Sequence, residues 1–149
     1  MSRDGVMRLA AAIFAMLAAG ALSNTPPATA WPVENGRILE TFRGNHHGID
    51  IAAEPGTPVL AYAAGVIDAQ ATDRNGNRYL RVRHAGADST SLYFNLADVR
   101  VAVGDIVNAG TPLAVVASAP TGRKAHLHFE VVLGGARVDP LAHLPRTTS

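Results

Sequence analysis

Two histidines one residue apart, His126 and His128, stand in the run Ala125-His126-Leu127-His128-Phe129-Glu130-Val131-Val132. On a β-strand alternate residues share a face, so His126, His128 and Glu130 leave on one side while Leu127, Phe129 and Val131 go to a core on the other. A second polar cluster, His46-His47-Gly48-Ile49-Asp50, lies upstream. Together the two clusters hold the ligand types of a zinc site. A catalytic zinc takes three protein ligands and keeps a fourth position for water. His46 and Asp50 from the first cluster and His128 from the strand would supply the three. Two neutral imidazoles and one carboxylate leave the ion with a net positive charge, which lowers the pKa of a bound water. His46 ranks first in its cluster for its spacing to Gly48 and Asp50, with His47 as the competing ligand. Gly48 is expected to let the backbone bend between the two ligands, and Asp50-Ile51-Ala52 to continue as an apolar segment that anchors them. His126 adjoins the metal without being needed as a ligand. An imidazole there can take a proton from water and pass it to a leaving amine. Glu130 is read as an outer partner of the site or a surface residue. His84 and His143 have no partner nearby in sequence and are read as structural or surface residues.

The elements that must position these groups are short strands. Gly and Pro interrupt the chain every eight to twelve residues or so, a pattern of all-β sandwiches and barrels. Strands are expected over 37–41, 58–61, 65–71, 78–83, 89–94, 111–117 and 126–133. Arg78-Tyr79-Leu80-Arg81-Val82-Arg83 alternates polar and apolar, so it should be half-buried, and the turn at 85–88 should join it to 89–94 as a hairpin. Asn75-Gly76 marks another hairpin turn. No helical period is sustained, and a single helical turn is expected around Leu96 and Val99. Glu54-Pro55-Gly56-Thr57-Pro58-Val59-Leu60-Ala61 and Asn108-Ala109-Gly110-Thr111-Pro112-Leu113-Ala114 are alike. Each is a Gly-Thr-Pro turn feeding an apolar strand, and two such hairpins facing each other would build a small sandwich.

The 149 residues suffice for one domain. Residues 1–30 read as a secretory signal peptide: Arg3 and Arg8, an apolar Ala-rich run from Leu9 to Leu22, Pro26-Pro27, then the cleavage signal Ala28-Thr29-Ala30. The alternative, an uncleaved N-terminal anchor, is disfavoured by that small-residue site and by a run shorter than the roughly 20 residues of a membrane span. Residues 31–149 would then form the domain, exported to the periplasm, the cell wall or the medium, with no stable membrane insertion after cleavage. Of 13 basic and 12 acidic residues, Arg3, Arg8 and Asp4 lie in the leader, so the remainder is balanced and shows no basic patch for nucleic acid. There is no cysteine, so the domain must stand on its hydrophobic core, with any metal as an addition. A monomer is expected.

From Trp31 to Leu144 the chain resembles the lysostaphin/LytM-type zinc endopeptidases that cut bacterial peptidoglycan. The matching stretches are His46-His47-Gly48-Ile49-Asp50-Ile51-Ala52, Gly56-Thr57-Pro58-Val59-Leu60-Ala61 with Gly65-Val66, Val103-Gly104-Asp105-Ile106-Val107 with Ala109-Gly110, and Thr121-Gly122 leading to His126-Leu127-His128-Phe129-Glu130-Val131. Val138-Asp139-Pro140 with Leu144 resembles the family's ending. The resemblance implies an antiparallel β-sandwich, of the barrel-sandwich hybrid type, with the site in a groove. It implies zinc on His46, Asp50 and His128, and a catalytic His126. One segment departs from the family. Where the family has Tyr-x-His-Leu with an assisting histidine, this chain has Tyr93-Phe94-Asn95-Leu96. The Asn95 amide can donate to a developing oxyanion, but it cannot carry a proton or a charge. Ala117-Ser118-Ala119-Pro120 and Lys124-Ala125 also lack glycines common in the family, which reshapes the groove wall.

The leading expectation is a secreted zinc metallopeptidase acting on the peptides of peptidoglycan. Its rival is a zinc-binding domain of weak or no activity that binds peptidoglycan or activates a separate wall amidase. A biotinyl- or lipoyl-like carrier, suggested by the paired Gly-Thr-Pro segments, is disfavoured by the leader and by the lack of a lysine at a suitable hairpin tip.

Overall fold

The computed structural model describes residues 28–86 and 88–146. The expected leader lies outside them except for its last three residues, of which Thr29 bridges Ala63 and Ala30 donates its N–H to the Tyr62 carbonyl at 2.8 Å. Ten strands follow: β1 (Arg37–Glu40), β2 (Ile49–Ala52), β3 (Pro58–Leu60), β4 (Gly65–Thr72), β5 (Arg78–His84), β6 (Ser89–Ala97), β7 (Ile106–Val107), β8 (Pro112–Val116), β9 (His126–Leu133) and β10 (Ala136–Val138). The fold is all-β, as expected, and every strand pair is antiparallel. Among the described residues no helix is long and apolar enough to cross a membrane.

The main sheet runs β1-β2-β9-β6-β5-β4-β7, with β10 on β9. Alternation decides its two faces. Leu127, Phe129 and Val131 of β9, Ile49 and Ile51 of β2, Tyr93 of β6, and Leu80 and Val82 of β5 are all buried in one core cluster. The opposite side chains form an open face. A second, smaller layer of β3 and β8 closes the core with Val59, Leu113, Ala114 and Val116, and β8 is stitched to the end of β6 by Leu96↔Val116 and Ala97↔Val115.

The two Gly-Thr-Pro segments are the two strands of that layer. They are not two facing hairpins, as the sequence suggested, but partners in a single ladder, Pro58↔Val115 and Val59↔Ala114. Their turns hydrogen-bond reciprocally. Gly56 donates to the Val116 carbonyl (2.9 Å) as Gly110 donates to that of Ala61 (2.8 Å), and Val116 donates to Thr57 as Ala61 donates to Thr111 (2.9 Å each). The likeness in sequence thus marks a local pseudo-two-fold.

The expected hairpins form. β4 and β5 pair through Thr72↔Arg78 around the Asn75-Gly76 turn, and β5 and β6 pair through His84↔Ser89. The helical turn expected around Leu96 and Val99 does not. Leu96 closes β6, buried between β5 and β8, because pairing to Val116 gives its backbone partners that a helical turn would forfeit. The turn of 3-10 helix lies instead at Pro140–Ala142, where Asp139 caps it by accepting from the Leu141 N–H at 3.0 Å and Pro140 presets the first position. Strands β7 and β10, two and three residues long, are too short to carry a readable alternation.

One polar chain crosses the core. His84 Nδ1–H donates to the Ala64 carbonyl (2.7 Å), its Nε2 meets Ser91 Oγ (2.8 Å), Ser91 Oγ meets the Tyr93 hydroxyl (2.8 Å), and that hydroxyl accepts from the Tyr62 N–H (2.9 Å). Every member has a partner, the condition for burying polar groups without penalty. His84 is therefore a structural residue of the core.

Candidate metal centre and active site

The site sits on the open face where β2 meets β9. Register places Asp50 directly opposite His128 and Ala52 opposite His126. The approach to β2 is a tight turn in which Arg43 and His46 exchange both backbone hydrogen bonds, at 3.0 and 2.9 Å. That turn returns His46 to Asp50. Its ring Nδ1 donates to the Thr41 carbonyl at 3.0 Å, which leaves the Nε2 lone pair facing Asp50 Oδ2 at 3.3 Å. His47 points to solvent.

Gly48 does its work differently from the expected bend. A Cβ at this position would lie 2.3 Å from the Phe129 carbonyl oxygen and 2.9 Å from the Glu130 Cγ. The glycine is required because the backbone passes hard against β9, and this close approach is what brings Asp50 beside His128.

His46, Asp50 and His128 each offer one ligand atom, all within 4.8 Å of one another. The donor set fits zinc. Ligands about 2.05 Å from a tetrahedral ion stand roughly 3.3 Å apart, the spacing of His46 Nε2 and Asp50 Oδ2, while His128 Nδ1 hydrogen-bonds the other carboxylate oxygen, Oδ1, at 2.7 Å. The outer partners are also in place. His128 Nε2 meets Glu130 Oε1 at 3.0 Å, and Glu130 Oε2 accepts from Arg137 Nε at 2.8 Å. Glu130 is only 6% exposed, so it is a buried partner of His128 and not a surface residue.

The electrostatics follow from this packing. Burial works against the charge on the Asp50 carboxyl, but the hydrogen bond and charge of His128, with His126 and His46 nearby, hold it below the usual range. Burial likewise disfavours the Glu130 carboxylate, and His128 and Arg137 more than offset it. Burial alone would lower the pKa of His128, yet Asp50 and Glu130 on either side push it up to about 9. A metal ion on His128 Nδ1 would replace the hydrogen bond to Asp50, while Nε2–H stays on Glu130.

His126 lies on the same face. Its Nδ1–H donates to the Lys124 carbonyl at 2.9 Å, so its Nε2 lone pair turns inward, 3.9 Å from Asp50 Oδ2. Asn95 reaches the same point from β6. Tyr79 pairs with Phe94 and Arg78 with Leu96, so Asn95 is the extra residue of a β-bulge, with φ 74°. A bulge re-aims a side chain, and asparagine tolerates the left-handed region better than most residues. The Asn95 amide Nδ2 lies 3.2 Å from His126 Nε2 and 3.3 Å from the His126 carbonyl.

The five residues singled out in the sequence, His46, Asp50, His128, His126 and Asn95, thus meet on one face. Two contributors were missed. Arg137 arrives on β10 through the Gly134-Gly135 turn, whose hairpin signal places it across from Val132 and within reach of Glu130. Phe94, opposite His128, packs its ring edge-on at 5.4 Å, and nothing in its sequence context distinguishes it from a core phenylalanine.

Residues 44–140, well over half of the chain, match the model of peptidase family M23. The chain is 34% identical over 129 residues to the murein hydrolase activator NlpD of Escherichia coli, covering 83% of this chain and 33% of that protein. It is 37% identical over 105 residues to the DD-carboxypeptidase/endopeptidase Mpg of Neisseria meningitidis serogroup B, covering 70% and 24%. The chain spans less than half the length of these curated relatives. In fold it is similar to the antimicrobial peptidase lysostaphin from Staphylococcus simulans, with a TM-score of 0.71 at 24% identity over 82% of this chain and 55% of that one.

Proposed function

Because the chain belongs to peptidase family M23, we propose that it is a secreted zinc endopeptidase that hydrolyses peptide bonds in bacterial peptidoglycan. The observation that carries this reading is the meeting of His46 Nε2, Asp50 and His128 Nδ1 with the inward-facing Nε2 of His126 on one open sheet face. His46, Asp50 and His128 would hold the zinc, with Glu130 and Arg137 orienting the His128 ring. When bound, zinc polarises the scissile carbonyl and lowers the pKa of the attacking water. His126, with Nδ1–H tied to the Lys124 carbonyl, accepts the water's proton at Nε2 and returns it to the leaving amine. The Asn95 amide rests against His126, and turned from its Nε2 toward the substrate it would serve the developing oxyanion as a donor. Residues 1–30 act as the export signal, which delivers the domain to the periplasm or the wall.

Asn95 favours a second reading, because the family's histidine at that position could carry a proton and an amide cannot. In it the domain binds zinc and peptidoglycan but turns over weakly or not at all, and it activates a separate wall amidase; its relative NlpD is named a murein hydrolase activator. Zinc content and release of soluble muropeptides from purified sacculi separate the two. The endopeptidase carries one zinc per chain and releases muropeptides, and His128→Ala abolishes both. Stoichiometric zinc without release, restored by Asn95→His, overturns the endopeptidase reading in favour of the second.

A further inference from the structure

A row of side chains crosses the open face in register. Asp50 of β2 stands opposite His128 of β9, His128 opposite Phe94 of β6, and Phe94 opposite Tyr79 of β5. Phe94 and Tyr79 lie on the open face because their chain neighbours Tyr93 and Leu80 fill the core. The rings meet one after another. The centroids of His46 and His128 are 5.1 Å apart with planes at 72°, those of His128 and Phe94 5.4 Å apart at 65°, and those of Phe94 and Tyr79 5.1 Å apart at 26°. The first two contacts are edge-on and the third is stacked, arrangements that aromatic rings prefer.

Zinc makes a particular demand of His128. The lone pair on Nδ1 lies in the plane of the imidazole, so a tilted ring aims it past the ion. The side chain's own torsion does not set that tilt, since rotation about the bond from Cβ to the ring has broad minima. The neighbours must set it. Asp50 and Glu130 hold the two ring nitrogens. A metal ion on Nδ1 takes the first of these hydrogen bonds away and leaves the second at Nε2. Phe94 meets the ring from β6, and Tyr79 backs Phe94 from β5. Leu92, opposite Glu130, continues the apolar strip along β6.

We propose that Phe94 is a positioning residue for the metal: stacked on Tyr79, it braces the His128 ring at the tilt that zinc requires. The pair then acts on metal affinity and coordination geometry from outside the ligand set. This inference rests on the zinc reading above.

Zinc affinity by chelator competition, and the visible absorption of cobalt(II) in place of zinc, test the brace without turnover. Phe94→Leu keeps an apolar side chain and removes the ring. It should weaken zinc binding about tenfold and alter the cobalt bands, which report ligand geometry. Phe94→Tyr restores a ring and should return zinc affinity to within about twofold of the unaltered protein. Tyr79→Leu, one strand further from the ligand, should weaken zinc binding about threefold. In the Phe94→Leu background it should have no further effect, because it acts through that ring. Unchanged zinc affinity and cobalt bands in Phe94→Leu overturn the proposal. So does a Tyr79→Leu effect that is the same with and without the Phe94 ring. A raised KM on muropeptides at unchanged zinc affinity also overturns it, and makes the pair a substrate surface. Should Phe94→Leu fail to fold, Tyr79→Leu alone decides, since unchanged zinc affinity there removes the brace. An unaltered protein that takes up no zinc would overturn the zinc reading and this inference with it, whereas every other outcome leaves zinc bound and bears on the brace alone.

Discussion

Glu130 supplies none of the three proposed ligand atoms, yet it holds the ring of His128 from behind, and Arg137 holds Glu130. Outer partners of this kind typically contribute 10- to 100-fold in metal affinity. Glu130→Gln keeps the shape and loses the charge, so zinc affinity measured by chelator competition should fall by about that factor. An unchanged affinity would reduce Glu130 to a packing residue. Asn95 calls for a different substitution, because φ 74° penalises most replacements through the backbone. Asn95→Gly accepts that conformation and removes only the amide. Zinc content should hold while kcat/KM on muropeptides falls by about 10²–10³, the usual loss on deleting an oxyanion donor. A loss of zinc would place Asn95 in the metal site instead.

At the scale of elements, the junction of β2 with β9 makes the site. Asp50 and His128 are far apart in sequence and become direct neighbours in register. Gly48 permits the approach, since a Cβ there would meet the β9 backbone. Gly48→Ala should therefore destabilise the fold by about 1–3 kcal/mol, the usual cost of overpacking, and should weaken zinc binding as Asp50 moves off. Urea denaturation and zinc titration read the two effects. Gly76→Ala, on an open turn with φ 86°, should cost about 1 kcal/mol and leave zinc binding unchanged. Equal effects at the two glycines would argue that Gly48 matters only for conformational freedom.

For the whole molecule, the layer of β3 and β8 and the chain His84–Ser91–Tyr93 stabilise a domain without disulfides. Burial lowers the pKa of His84, and its hydrogen bond to the Ala64 carbonyl recovers only part of the shift. The folded state therefore favours the neutral ring, whereas an unfolded histidine takes a proton near pH 6.5. The stability due to this group is complete above about pH 6.5 and is lost as pH falls from there toward the depressed folded value. His84→Gln should flatten the pH dependence of unfolding free energy between about pH 5 and 7. Identical slopes in the two proteins would show that His84 does not couple to unfolding. Ser91→Ala should cost about 1–3 kcal/mol, because it strands the Tyr93 hydroxyl proton in the core.

The sequence by itself determined the alternation that makes β9 half core and half site, because a two-residue period follows from strand geometry alone. His126–Leu133 was legible to the residue, as were the hairpins at Asn75-Gly76 and at 85–88, where local turn chemistry suffices. The candidate site was legible as residue types, since His46, Asp50, His126 and His128 lie in two short clusters of recognisable spacing. Only the tertiary structure decided how those clusters meet. His46, ranked above His47 by its spacing, is turned toward Asp50 by a tight turn and by the Thr41 carbonyl. The role of Gly48 rests on β9, a strand nearly 80 residues away. Leu96 became strand because β8 offered its backbone a partner. Arg137 joined the site because a diagonal cross-strand contact carries it to Glu130. These outcomes depend on contacts between residues distant in sequence, and a local pattern of residue types does not encode which distant backbone will arrive to make them.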